Sequence, residues 1–168
     1  MLVPAIKYRE QLNEKFVDLL YSEEMYCFSG YNRSAPYIVC NTDNADVIYP
    51  IYEYAIINKN NELVGYVKYC IDISTDAASI MGVISFNDND LTVAVDVYNV
   101  FKQLTEHRRL EWKAIEGCKA IPAYISLCKK YKGMYFRHYD VFKDVSGNFR
   151  DSYEFEILKY TTGRTERK

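Results

Sequence analysis

Cys118 is the side chain with the most evident capacity for chemistry, because it stands at the predicted start of a helix. The N-terminal end of a helix can lower the pKa of a thiol, and a thiolate is a good nucleophile. A thiol enzyme also needs a base, and no spacing joins Cys118 to His107 or His138, the two histidines of the chain. An inert thiol is therefore the favoured interpretation, with a nucleophile as the alternative.

Three carboxylates on predicted strands are candidates for a general base: Glu53, Asp72 and Glu111. Carboxylates on strands are more often exposed sheet residues or ion-pair partners, so the sequence prefers none of them. The five cysteines and two histidines have no metal-ligand spacing, and we expect no metal site.

Cys118 lies in a stretch whose pattern predicts a strand, a tight turn and a helix. The strand covers residues 110–115, and Glu116 and Gly117 begin the turn. Apolar residues at spacings of three and four then predict the helix: Ile121, Tyr124, Ile125 and Cys128. Lysines in the last turn and Gly133 after them are typical of a helix end. The first N–H groups of such a helix can bind an anion or hold a group over the end of the strand.

The elements before this unit are a helix, a long irregular segment, three strands and a second helix. Residues 8 to about 26 have amphipathic periodicity, and residues 27–50 form a lid, a substrate wall or an ordinary loop. Strands at 51–57, 63–73 and 78–86 are predicted to form an antiparallel meander. Residues 91–106 fit both strand and helix periods, but their length and the N-cap Asp90 favour a helix.

A two-strand hairpin is predicted at the end of the chain, from residues 134–142 and 151–158 around a turn at 145–148. The full order predicts an α+β fold with one mixed, mostly antiparallel central sheet flanked by helices.

This order of elements resembles the GNAT superfamily of acyl-CoA N-acyltransferases. The local match is to the family's fifth strand and fourth helix, which here are residues 110–115 and the helix after Glu116-Gly117. Ala120 and Tyr124 stand at the family's helix alanine and tyrosine, and Cys118 replaces its usual asparagine. The topology covers nearly the whole chain, whereas the motif covers this stretch alone.

The resemblance implies an N-acetyltransferase that moves an acetyl group from acetyl-CoA to a small-molecule or peptide amine by direct attack. The thioester would lie in a V-shaped gap between the third meander strand and the strand at 110–115. Tyr124 would donate a proton to the leaving thiolate, and main-chain N–H groups from residues 84–86 would hold the pantetheine. The residues assigned to the cofactor are Ile84, Ser85, Phe86, Asn87, Asn89, Cys118 and Ala120.

The family's pyrophosphate signature corresponds to residues 86–92, which contain no Gly, Arg or Lys and include Asp88 and Asp90. Close approach of backbone N–H groups to phosphate favours glycine. This departure motivates the alternative of a catalytically silent GNAT-fold protein that binds a ligand or partner. The 17 tyrosines motivate another alternative, an interaction domain, and Tyr124 itself is alternatively a core residue.

Composition limits the class of protein. With 168 residues, 49% of them hydrophobic, the chain is predicted to be one domain, residues 1–160, with a polar tail at 161–168. A net charge of −2 argues against a nucleic-acid partner. The odd cysteine count, without a leader or a long apolar run, indicates free thiols, a cytoplasmic location and no membrane partner. A homodimer is also expected.

Overall fold

The computed structural model of the chain describes residues 1–20, 49–144 and 146–159. These form, in chain order, β1 (Leu2–Pro4), a 3-10 turn (Ala5–Tyr8), α1 (Arg9–Leu20), β2 (Ile51–Ile57), β3 (Leu63–Asp72), β4 (Ala77–Ser85), α2 (Leu91–Leu104), β5 (Arg109–Ile115), α3 (Ile121–Lys130), β6 (Met134–Lys143) and β7 (Phe149–Leu158). The strands lie side by side in the order β1-β2-β3-β4-β5-β7-β6. β4 and β5 pair in parallel, and the other neighbours pair antiparallel. The predicted α+β fold with a mixed, mostly antiparallel sheet is confirmed.

Most elements begin or end within one or two residues of the predicted positions. β1 was not expected, the third meander strand ends at Ser85 instead of Phe86, and the first helix begins at Arg9 after a 3-10 turn. The predicted continuation of that helix, the irregular segment up to residue 48 and the tail at 161–168 lie outside the described residues.

The turn between β2 and β3 follows from Asn58. Its side-chain oxygen accepts the N–H groups of Asn60 at 2.9 Å and of Glu62 at 3.0 Å. Asn61 adopts a positive φ of 63°, a conformation that asparagine tolerates better than most residues. The turn closes the hairpin of β2 and β3, the first two strands of the predicted meander.

Residues 91–106, whose apolar pattern fitted both a strand and a helix, contain the helix α2. Asp90 caps it by accepting the Thr92 N–H at 2.9 Å, and Val97, Phe101 and Leu104 on one side are buried. α2 approaches the sheet closely at Gly65, where a Cβ would lie 2.9 Å from Val93 and 2.7 Å from the Ile84 carbonyl oxygen. A glycine is therefore required at this contact.

The sheet is covered on both faces. α2 and α3 pack on one face, with a core that includes Ile80, Phe101, Trp112 and Phe155. α1 packs on the other face through Leu12, against a smaller cluster. Successive side chains of a strand point to opposite faces of the sheet. Each candidate side chain on a strand therefore lies either on the face covered by α2 and α3 or on the face covered by α1, here called the α1 face.

Candidate functional site

β4 and β5 separate halfway along their length. Their parallel pairing runs from Ala77 with Arg109 to Ile80 with Trp112 and goes no further. β4 continues to Ser85 and β5 continues to Ile115. β4 also has one residue more than β3 at Met81, because Lys68 pairs with Gly82 and the neighbouring Tyr69 pairs with Ile80. A bulge increases local twist, so the extra residue turns β4 away from β5 and opens a gap between them.

The main chain of β4 beyond the bulge has one side directed into this gap. The Phe86 N–H donates to the Val64 carbonyl of β3 at 2.8 Å. Hydrogen-bonding directions alternate along an antiparallel strand, so Ile84 shares the β3 side, whereas Val83 and Ser85 turn their N–H groups toward β5. Of the three residues predicted to hold the pantetheine by their main chain, Ser85 faces the gap.

The other two predicted pantetheine residues also have buried or aromatic surroundings. Ile84 is 6% exposed and belongs to the cluster under α1. The Phe86 ring meets Phe16 of α1 edge to face, with centroids 6.2 Å apart. Between the bulge and these residues, a Cβ added at Gly82 would meet no atom within 4 Å, so open space lies beside the strand there.

The loop at residues 87–90 satisfies its own N–H groups. Asn87 accepts the Asn89 N–H on its side-chain oxygen at 3.1 Å and the Asp90 N–H on its carbonyl at 3.0 Å. Asp90 accepts the Thr92 N–H, and hydrogen bonds from Thr92 and then Asn58 hold the pKa of Asp90 below its usual value. Three N–H groups that a pyrophosphate would use are therefore occupied, beside a carboxylate that stays ionised.

An ion pair connects this loop to the far side of the gap. Asp88 contacts Lys119, which lies in the turn that follows β5. The two side chains are 56% and 81% exposed, so the contact is screened by solvent and holds the two sides together weakly.

The turn between β5 and α3 uses most of the N–H groups at the helix start. Cys118 donates its N–H to Ile115 at 3.0 Å, and Ile121 donates to Cys118 at 3.2 Å. Pro122 has no N–H, and Tyr124 donates to the Ala120 carbonyl at 2.9 Å. These bonds leave fewer N–H groups for an anion at this helix start than the sequence pattern offered, and Cys118 and Ala120 lie in the turn between β5 and α3.

The Cys118 thiol has the properties of an inert group. Burial raises its pKa, and hydrogen bonds from the Ala120 and Ile121 N–H groups oppose that shift with smaller effect. His107 contacts Asp76 at 2.7 Å, and His138 lies 3.3 Å from Glu154. Neither histidine contacts the thiol in the described part of the chain, which favours the inert interpretation.

Tyr124 packs in an aromatic cluster on the face of the sheet that α2 and α3 cover. Its ring centroid is 5.9 Å from Trp112, 5.5 Å from Phe101 and 5.6 Å from Phe155. Burial raises the pKa of Tyr124, and the neighbouring Cys118 adds to the shift. The hydroxyl has no hydrogen-bond partner among the described residues, so a neutral phenol is available as a donor.

The three candidate bases lie in different surroundings. Asp72 accepts hydrogen bonds from Ser74 and Thr75, which lower its pKa, at the end of the sheet away from the gap. Glu111 pairs with Arg109 at 3.0 Å and is exposed. Glu53 is buried on the α1 face, where it contacts Tyr66 and Lys68.

Lys68 is the residue that sequence reasoning missed. A lysine in the middle of the apolar run of β3 was the available signal, because a charged residue on a buried strand needs a partner.

In 1–20, 49–144 and 146–159, no group of three or more His, Cys, Asp or Glu side chains is placed to hold a metal ion. In the same ranges, no helix has the length and apolar character needed to span a membrane.

Comparison with solved structures identifies the fold. A mutant of the spermidine N-acetyltransferase from Vibrio cholerae matches 87% of this chain and 89% of its own, with a TM-score of 0.54 and 14% identity. The ribosomal-protein alanine N-acetyltransferase from Escherichia coli matches 73% and 76%, with a TM-score of 0.50 and 10% identity. A probable GNAT-family acetyltransferase from Chromobacterium violaceum matches 64% of this chain and 58% of its own, at 0.49 and 18%.

Comparisons with protein-family models and with curated proteins give no match. At 10 and 14% identity, the two matches with TM-scores of 0.50 and 0.54 establish architecture alone. The seven-stranded sheet that opens between β4 and β5, with its flanking helices, is the GNAT acyl-CoA N-acyltransferase fold.

Proposed function

We propose that this protein is an N-acetyltransferase that moves an acetyl group from acetyl-CoA to an amine by direct attack. The observation that carries the proposal is the gap between β4 and β5, which begins after Ile80 and Trp112. A parallel pair that separates while both strands continue leaves main-chain donors unpaired inside a fold, which is costly unless a ligand uses them.

Acetyl-CoA is the donor substrate in this proposal. Val83 and Ser85 donate their N–H groups to the thioester carbonyl and the pantetheine amides, and the open space at Gly82 admits the acyl end. The remaining predicted residues lie along the pantetheine and the phosphates of acetyl-CoA: Ile84, Phe86, Asn87, Asn89, Cys118 and Ala120.

Tyr124 assists the departure of the thiolate. The amine lone pair forms the C–N bond, the C–S bond breaks, and sulfur takes its electron pair. An ordinary phenol, with a pKa of about 10, is a weaker acid than a thiol, with a pKa of about 8.5. Burial raises the pKa of Tyr124 further, so full proton transfer from the phenol to sulfur is unfavourable. Tyr124 therefore stabilises the thiolate by donating a hydrogen bond, and the proton released from the amine neutralises the sulfur.

The second candidate function is a silent GNAT-fold protein that binds another ligand or a partner. The observation that favours it is the 87–90 loop, whose N–H groups are occupied by Asn87 and Asp90 and whose charge is negative. Like charges at this position oppose a pyrophosphate unless cations elsewhere offset them.

The acceptor in the first proposal is a small-molecule or peptide amine. The two matched enzymes are named for spermidine and for an alanine of a ribosomal protein, which supports an amine acceptor of either size. Nucleic acid and membrane are not partners in this proposal, and the location is the cytoplasm. Residues 1–160 form one domain with a tail at 161–168, supported by a sheet whose strands run from Leu2 to Leu158.

We also propose that two copies associate through β6. This edge strand is exposed at its first eight positions, including Met134, Tyr135 and Phe136 at 50, 43 and 52%. An unpaired apolar edge is a template for another strand. β6 pairs regularly with β7 from Met134 to His138, and a bulge at Asp140 limits the flat edge to those residues.

The charges of this edge favour a second copy as the occupant. In an antiparallel pairing centred on Phe136, Tyr135 faces Arg137 of the second copy and Met134 faces His138, so no like charges meet. Arg137 already lies over two tyrosine rings, at 5.0 Å from Tyr139 and 5.6 Å from Tyr153, and a third would extend that stacking.

Calorimetric titration with acetyl-CoA, with desulfo-CoA as the control ligand, tests the main proposal. We expect micromolar binding of both ligands, followed by transfer to an amine with acetyl-CoA alone. Binding without transfer to any amine in a broad panel would favour the silent alternative. Absence of binding at millimolar acetyl-CoA would contradict the acetyltransferase.

A further inference from the structure

Helix α2 carries an apolar stripe on the side that faces away from the sheet. Leu91, Val95 and Tyr98 are 77, 57 and 41% exposed. Their spacings of four and three residues place them on one line along the helix, with the Cβ atoms of neighbours about 5–6 Å apart. The three side chains therefore form one continuous surface, here called the α2 stripe.

The opposite side of α2 is apolar as well. Five residues face the sheet and are buried: Val93, Val97, Val100, Phe101 and Leu104. A helix with one side in water usually keeps its apolar residues on the buried side, and a helix that is apolar all round is usually covered all round. The exposed α2 stripe therefore has the character of a surface that meets a partner.

Two lysines give the end of the α2 stripe at Tyr98 a positive charge. The Lys130 Nζ, from the last turn of α3, donates to the Tyr98 hydroxyl at 2.6 Å. The hydrogen bond and charge of Lys130, and more weakly the charge of Lys102, hold the pKa of Tyr98 below its usual value. Asp96, the one carboxylate in the sequence of α2, contacts the Met1 ammonium at 2.6 Å. The lysines therefore dominate the field at this end of the stripe.

The end of the α2 stripe at Leu91 has the opposite charge. Asp90 caps the helix and stays ionised, because hydrogen bonds lower its pKa. Asp88, just before it, is 56% exposed in its contact with Lys119. A uniformly anionic surface, such as a phospholipid membrane, would be attracted to the lysines and repelled by Asp90. A partner whose negative charge is confined to one end fits the stripe better.

We propose that the α2 stripe binds an amphipathic helix of another protein, with carboxylates at the end that meets Lys102 and Lys130. At 1.5 Å per residue, the stripe and Lys102 span about 16 Å, so the partner helix needs about three turns. Its apolar residues, at spacings of three and four, pack between Leu91, Val95 and Tyr98. The charges also set its direction, since a reversed helix would bring its carboxylates to Asp90. This binding requires no acetyl transfer.

Fluorescence anisotropy with labelled synthetic peptides tests the inference on the full chain. The probe is an amphipathic peptide of about four helical turns, with leucines at spacings of three and four and glutamates in one terminal turn. It should bind with micromolar affinity. A peptide with the leucines scrambled, and a peptide with lysine in place of each glutamate, should bind at least tenfold more weakly.

One substitution in the middle of the α2 stripe should disrupt this binding. Val95→Glu places a carboxylate between Leu91 and Tyr98 and should weaken binding of the glutamate peptide at least tenfold. Val17→Glu is the matched control, because Val17 is a valine of α1 that is 49% exposed. It should bind the peptide as the wild-type protein does. Both variants should melt close to the wild-type temperature, since both positions face solvent.

A charge reversal keeps the test valid if a variant loses structure. Lys102→Glu combined with Lys130→Glu should weaken binding of the glutamate peptide at least tenfold and strengthen binding of the lysine peptide by a similar factor. A protein that had only lost structure would bind neither peptide well. Loss of the glutamate peptide in a folded double variant, without a gain of the lysine peptide, would overturn the assigned direction and charge of the partner.

Other occupants of the α2 stripe give different results. Absence of binding of the glutamate peptide at millimolar concentration would overturn the inference, as would equal binding by the wild-type protein and Val95→Glu. Sedimentation with phosphatidylserine vesicles that depends on Val95, without peptide binding, would assign the stripe to a lipid surface instead. A smaller assembly for Val95→Glu than for the wild-type protein in light scattering would assign it to a second copy of the chain.

Discussion

Ile80 and Trp112 form the last of the residue pairs that join β4 to β5. Met81, the extra residue of β4, follows Ile80 directly, and the Tyr124 ring lies against Trp112. The point where the strands part, the bulge that parts them and the candidate donor to the leaving group therefore occur at one level of the sheet.

Filling the gap at Gly82 should block acetyl-CoA without unfolding the protein. A Cβ at Gly82 meets no atom within 4 Å, so Gly82→Leu should change the free energy of unfolding by less than about 1 kcal/mol. Calorimetry should show at least a tenfold loss of acetyl-CoA affinity. Gly65→Ala is the contrasting variant, since its Cβ would lie 2.7 Å from the Ile84 carbonyl oxygen and should destabilise the fold by about 1–3 kcal/mol. Unchanged affinity in folded Gly82→Leu would place the cofactor elsewhere.

Removing the Tyr124 hydroxyl should reduce turnover and spare the fold. The hydroxyl has no partner among the described residues, whereas the ring keeps its contacts with Phe101, Trp112 and Phe155 in Tyr124→Phe. Loss of one donor to developing charge predicts a fall in kcat of about 10²-fold with little change in the KM for acetyl-CoA. Tyr52→Phe is the control and should keep the wild-type kcat. A wild-type kcat in Tyr124→Phe would show that the Tyr124 hydroxyl takes no part in the reaction.

The pattern of the sequence was sufficient for most of the elements. Turn chemistry at Asn58 and the cap at Asp90 act locally, so their effects can be recognised without knowledge of the rest of the chain. The three residues of β1 have too little length to show a period, and their strand exists because β2 offers an edge to them. Whether such a short segment forms a strand depends on its pairing partner in the tertiary structure.

The site was less predictable than the fold. The bulge at Met81 cannot be recognised from the sequence, because apolar residues alternate along β4 without interruption. The bulge nevertheless moves the side chains of all later residues of β4 to the opposite face of the sheet. The direction of the Ser85 N–H follows from that shift and from the bond between Phe86 and Val64. The pairing of Glu53 with Lys68 joins residues on different strands, and no spacing rule relates them before the register is known.

Neutralising Asp88 should strengthen acetyl-CoA binding. The carboxylate lies beside the expected phosphates and also holds Lys119 across the gap. Asp88→Asn removes the repulsion between this carboxylate and the phosphates, so acetyl-CoA affinity should rise severalfold at low salt. The gain should fade as added salt screens the charges, which calorimetry at two ionic strengths would measure. Weaker binding in the variant would mean that Asp88 supports the cofactor in some other way.

The cap at Asp90 should give stability that depends on pH. Hydrogen bonds from Thr92 and Asn58 lower the folded pKa of Asp90, so its contribution is complete above the unfolded value of about 3.9 and is lost as the pH falls through the folded pKa. Asp90→Ala should therefore melt at a lower temperature than the wild-type protein at pH 7, and the difference should shrink below about pH 3.9. Asp88→Ala, which changes the same loop without touching the cap, should show no such trend. A difference that stays constant at acid pH would contradict the assignment.

Charge on the β6 edge should separate the two copies of the proposed dimer. Phe136 is 52% exposed and would lie on the two-fold axis of the pairing, so Phe136→Lys would place two ammonium groups opposite each other. Light scattering should then report a dimer for the wild-type protein and a monomer for the variant. Val95→Lys adds the same charge at a residue of α2 that is 57% exposed, and it should remain a dimer. The β6 pairing is wrong if the wild-type protein is a monomer at high micromolar concentration, or if Phe136→Lys dimerises as the wild type does. Because β7 separates β6 from β5 and from the gap, amine acetylation by the monomeric variant should persist, which separates assembly from activity.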